Sequence, residues 1–169
     1  APALPAETLA FGCYQGMFSG CTALTTAPAL PAETLAEYCY AQMFSGCSEL
    51  TTAPTLPAET LASFCYQGMF SGCSALTTAP ELPAETLAFG CYNEMFSGCT
   101  ALSSVTMLAT DVSAEMCLEN WLDGAGTNAS SRTLILYNSE VYNKIQEQIT
   151  NNNFNYLPEE WNYDIRYKY

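Results

Sequence analysis

Residues able to do chemistry recur in this chain at fixed intervals. Cys13, Cys39, Cys65, Cys91 and Cys117 stand 26 residues apart, as do Cys21, Cys47, Cys73 and Cys99. Glu7, Glu33, Glu59, Glu85 and Asp111 form an acidic series at the same register. Tyr14, Tyr40, Tyr66 and Tyr92 form another, and so do Phe18, Phe44, Phe70 and Phe96. An active site needs one asymmetric constellation of nucleophile, base and stabiliser, so identical acids in every repeat read as structural. The chain has no histidine, which removes the commonest general base and metal ligand and the histidine triads with it. The cysteine pairs are eight residues apart instead of C-x-x-C, which indicates neither a redox motif nor a zinc knuckle. No glycine-rich phosphate loop follows a strand. The expectation is therefore no catalytic residue, no metal and no cofactor.

Three sharper readings compete with that one. Calcium, which favours oxygen ligands, would relieve repulsion along the acidic series, but the DxDxDG spacing is missing. A pair of carboxylates could do acid–base work of the glycosidase kind. A small site near the C-terminus could use Glu159, Glu160 or Asp164. The cysteines leave two arrangements open: a ladder of buried free thiols, or one disulfide per repeat such as Cys13–Cys21. The tyrosine and phenylalanine series read as core stacks, with a sugar-binding aromatic platform as the functional alternative.

Charge narrows the partners. Four basic residues against 17 acidic ones give a net charge of -13, which repels phosphate backbones and anionic lipid heads. Nucleic acid is not expected as a partner. No run of 18 apolar residues is present, so no membrane insertion is expected. No signal peptide is visible, and the chain opens inside a repeat, which reads as a truncation or processing point with further repeats upstream.

The elements that must position these residues follow from longer matches. LPAETLA begins at Leu4, Leu30, Leu56 and Leu82, and MFSGC begins at Met17, Met43, Met69 and Met95. TTAP follows Leu24, Leu50 and Leu76. Matches this long indicate stacked repeats. The threonines favour extended backbone, predicting a strand at residues 25–27, 51–53, 77–79 and 103–105, the first three ending near a proline that lacks a donor. Pro31 and Glu33 suit the first turn of a helix. Leu35, Cys39 and Met43 would share its buried face, and Gly46 would end it. Gly12, Gly16, Gly68 and Gly90 break this helical region into two short pieces. Past residue 126 the pattern stops. There Leu134 to Tyr137 reads as a strand and Asn138 or Ser139 as a helix cap. Val141, Ile145 and Ile149 give an apolar stripe that Asn151 to Asn153 terminates. Trp161, Tyr163, Ile165, Tyr167 and Tyr169 alternate as a last strand.

The Met17–Pro28 unit, MFSGCTALTTAP, resembles the repeat of the bacterial surface leucine-rich-repeat proteins known as BspA-like. The resemblance spans residues 1–126 and implies an α/β solenoid: a leucine-rich-repeat-like stack of parallel short strands and short helical turns with a 26-residue period. An α+β cap would fill 127–169. It also implies a bacterial cell-surface or secreted module for adhesion, binding a protein or glycoprotein without catalysis. A structural spacer and a glycan-binding module are the alternatives. The face expected to bind is the strand side: Thr26, Pro28, Thr52, Pro54, Thr55, Thr78, Pro80, Glu81, Ser104 and Thr106. Variation at Ala29, Thr55, Glu81 and Met107 would tune the partner.

Overall fold

The structure, a computed structural model, describes residues 2–152, 155–161 and 164–169. Regular elements among them are confined to the C-terminal part. Strand β1 is Ser104–Met107, β2 is Thr133–Leu136, helix α1 is Ser139–Asn152, and β3 is Ile165–Tyr167, with a 3-10 turn at Glu159–Trp161. The three strands form one parallel sheet in the order β1-β2-β3. Val105 lies beside Leu134, and Leu134 beside Ile165.

This corrects the expected architecture. The α/β solenoid of leucine-rich-repeat type requires a strand and a helical piece in every unit, and residues 2–103 contain neither. The threonines expected to form strands make isolated parallel bridges only, Thr26 with Thr52 and Thr78 with Ser104. The reason lies in the next residue but one. Pro28, Pro54 and Pro80 have no amide to extend the pairing. Where Thr106 takes that place, pairing continues and β1 exists.

The helices expected between residues 33 and 47 fail for a different reason. Backbone in the left-handed region returns every fourth residue, at Tyr38, Gln42 and Gly46 and again at Phe64, Gly68 and Gly72. A right-handed helix cannot contain such residues. Local turns form instead, and alternate amides divide the work. Cys13 N–H donates to Ala10 O at 3.2 Å and Gln15 N–H to Gly12 O at 3.1 Å. The amides between them cross to the following coil: Tyr14 N–H reaches Cys39 O and Gly16 N–H reaches Ala41 O, both at 2.9 Å. An α-helix would spend these donors internally and leave none to join one coil to the next.

Side chains fill the interior in columns. The rings of Phe18, Phe44, Phe70 and Phe96 stack with centroids 5.6–5.7 Å apart. Tyr40, Tyr66 and Tyr92 stack at 5.9 and 6.1 Å and are buried, so they offer no platform to a sugar. All nine cysteines are free: Cys13 and Cys21 are exposed and the other seven buried. Thiols also bond across coils, as Cys73 Sγ–H does to Phe44 O at 3.2 Å.

The C-terminal elements cover the last coil. Asn138 Oδ1 accepts the Val141 amide at 3.2 Å and so caps α1. Val141 and Ile145 are buried, and Ile149 packs half-buried against the core. Trp121 Nε1–H donates to Tyr156 O, and Trp161 Nε1–H donates to Ala125 O at 3.2 Å. The alternation expected from Trp161 to Tyr169 yields a strand only at Ile165–Tyr167, because Trp161 is buried in the 3-10 turn. Asn153 and Tyr163 lie outside the described residues.

Candidate functional site

The segments Thr51–Pro57 and Thr78–Pro83 face outward on adjoining coils and enclose a groove of about 510 Å³. Buried Leu50 and Leu76 anchor the chain just ahead of each segment, and the alternation that follows puts threonine outside. Thr51, Thr52, Thr55 and Thr78 are exposed on its walls, while Pro54, Leu56 and Ala79 are buried at its floor. Glu81 contributes a carboxylate, which Lys168 Nζ approaches to 3.4 Å from the end of the chain.

Backbone pairing is interrupted at this groove. On one side of it, Thr51 N–H donates to Thr25 O at 3.0 Å and Ala27 N–H to Thr52 O at 3.1 Å. On the other, Ser103 N–H donates to Thr77 O at 2.8 Å and Ala79 N–H to Ser104 O at 3.0 Å. The corresponding bonds, Thr77 to Thr51 and Ala53 to Thr78, are not made. Further along the same wall, Thr34 bridges Thr60 and Thr86 bridges Asp111, but Thr60 and Thr86 are not bridged. The two coils therefore part along one wall.

Of the residues expected to bind, the groove gathers Thr52, Pro54, Thr55, Thr78, Pro80 and Glu81. Thr26 is exposed but one coil away, and Pro28 beside it is buried. Ser104 and Thr106 are half-buried in β1, paired with β2. Pro54 is buried in the floor and Pro80 is half-buried, so these prolines are not a displayed surface. Met107 is fully buried and cannot tune a partner, whereas Ala29 is exposed. Sequence reasoning missed Thr51, Leu56, Pro57 and Pro83, which also line the groove. Pro57 is the counterpart of Pro31, which suits the first turn of a helix, and no helix forms at either position.

Glu7, Glu33, Glu59 and Glu85 are exposed, and no group of acids or thiols among the described residues is placed to hold a metal ion. Asp111 is held below the usual carboxylate range by hydrogen bonds from Ser113. Asp164 is likewise lowered, first by its hydrogen bonds with Arg166 and then by Thr133, whose hydroxyl donates to Oδ2 at 2.7 Å. Asp164 therefore fastens β3 to β2. Burial pushes the Cys39 thiol up to about 11 and the Cys73 and Cys117 thiols up to about 12. Neutral thiols of this kind are poor nucleophiles. No helix among the described residues is long and apolar enough to cross a membrane.

Comparison with family models, with curated proteins and with solved structures yields no match. The structure overturns the resemblance to BspA-like leucine-rich-repeat proteins, because no strand-and-helix unit recurs among the described residues.

Proposed function

We propose that this chain is a binding module without catalysis, and that it takes a protein partner in the threonine-walled groove. The observation that carries this reading is the convergence of Thr52, Thr55, Thr78, Pro80 and Glu81 on one concavity with an apolar floor. Concave, largely apolar sites with a few polar groups are where ligands bind. A glycan is the second reading, favoured by the exposed hydroxyls of Thr51, Thr52, Thr55 and Thr78. Protein is preferred because the tyrosine stack that would hold a sugar ring is buried.

The test is a binding screen of the whole chain against immobilised glycoproteins, their deglycosylated forms and free glycans. Retention of deglycosylated protein, lost on Thr52→Lys or Thr78→Lys, is the expected outcome. Binding that survives both substitutions would place the site elsewhere.

A further inference from the structure

We propose that the parted wall between Thr51–Ala53 and Thr77–Ala79 binds an extended polypeptide segment that carries a basic side chain. This rests on the groove being the binding site and adds what kind of ligand it takes. The amides of Thr77 and Ala53 and the carbonyls of Thr51 and Thr78 lack the cross-coil bonds that their counterparts on either side make. Thr51, Thr77 and Thr78 are exposed and Ala53 is half-buried, so these groups are open to solvent and accessible to a ligand's backbone. An extended peptide supplies donors and acceptors in alternation, which is how a strand is added to an open sheet edge. Prolines at 54, 57, 80 and 83 have no amide with which to close the gap.

The floor and the charge refine the ligand. Ala53, Pro54, Leu56 and Ala79 leave an apolar surface in a groove of about 510 Å³, enough for a few residues of an extended chain. Glu81 is the acid of this groove, and no Lys or Arg precedes Arg132 in the sequence. Lys168, at 3.4 Å from Glu81, already occupies the position that a ligand's basic side chain would take. It should therefore compete with the ligand from within the chain.

The test is an amide NMR titration of the isotope-labelled full chain. Three probes are used: a seven-residue Val/Thr peptide with a central Arg, the same peptide with Glu at the centre, and an N-acetylglucosamine oligosaccharide. The Arg peptide should shift the Ala53 and Thr77 amides and slow their hydrogen exchange. It should bind about tenfold more tightly than the Glu peptide. Glu81→Gln should reduce that preference by up to about fivefold, as expected for an exposed ion pair, and Lys168→Ala should strengthen Arg-peptide binding. Peptide binding that leaves Ala53 and Thr77 unshifted would overturn the backbone pairing. Shifts produced by the oligosaccharide and not by either peptide would overturn this inference while leaving the groove as the site. If no probe moves any groove amide, the peptide ligand is overturned, and the glycoprotein screen alone decides whether the groove binds.

Discussion

Both walls of adjoining coils repeat at the same 26-residue interval, yet one stays closed where the other parts. On the turn wall, Phe64, Tyr66, Gly68, Phe70 and Gly72 donate their amides to Phe89, Cys91, Asn93, Met95 and Ser97 at 2.7–3.2 Å. On the threonine wall of the same two coils, Thr51–Ala53 and Thr77–Ala79 share no such bond. The turn wall has a cross-coil donor at every second residue and stacked rings behind it. The threonine wall is punctuated by proline and depends on two or three bonds, so losing them opens it. Hydrogen-bond density thus sets which wall is scaffold and which is available to a ligand.

The largest effect should come from breaking the closed wall. Phe70→Ala removes a buried ring stacked on both neighbours and should cost about 3–5 kcal/mol in denaturant unfolding. Thr78→Lys on the open wall should change stability by no more than about 0.5 kcal/mol. Equal losses from the two substitutions would erase the distinction.

Alkaline pH should act on the closed interior next. Burial raises the folded-state Cys73 and Cys117 thiols from 9.0 to about 12. Below pH 9 both thiols are protonated in the folded and unfolded states, and their contribution is fully present. Between pH 9 and about 12 the unfolded chain loses these protons while the folded one keeps them. Stability should then fall with rising pH, by up to about 1.4 kcal/mol per unit for each such thiol. Unfolding curves at pH 8, 9.5 and 10.5 measure the slope, and a flat profile would contradict sealed thiols. Alkylation followed by mass spectrometry should modify Cys13 and Cys21 in the folded chain and all nine cysteines after denaturation.

A smaller effect tests the turns themselves. Gly72 has φ of 74°, and an added Cβ would sit 3.6 Å from Gly46. Space is therefore adequate and only the left-handed backbone is penalised, so Gly72→Ala should cost about 1–2 kcal/mol. A small change in stability is also expected from Pro80→Thr, which gives the open wall the residue type that β1 has at Thr106. Its net effect should stay within about 1 kcal/mol, since the restored donor offsets the loss of proline's restriction on the unfolded chain. Its readout is slower hydrogen exchange at residues 79–81. Unchanged exchange would show that proline is not what limits the pairing.

Much of the interior was legible in the sequence. The buried columns at Leu50, Leu76 and Leu102 and the helix capped by Asn138 follow from spacing and residue type. The missing helix was not legible. Leu35, Cys39 and Met43 recur every four residues, which suits an α-helix and also a series of turns returning to the left-handed region every fourth residue. Both put the same side chains inside and differ only in where the amides point. The groove was half legible: threonines outside and prolines alongside could be read, but not that Pro28 and Pro54 are buried or that Leu56 joins the floor.

Sequence by itself determined which side chains meet, because a 26-residue interval brings like residues into contact once the coils lie on one another. It also determined the lack of histidine and the surplus of acid, which no folding alters. Only the tertiary structure decided that amides serve the neighbouring coil in place of a helix, and that one pair of coils parts along its threonine wall. Those outcomes depend on competition between local and cross-coil hydrogen bonds, and no window of residues contains both partners.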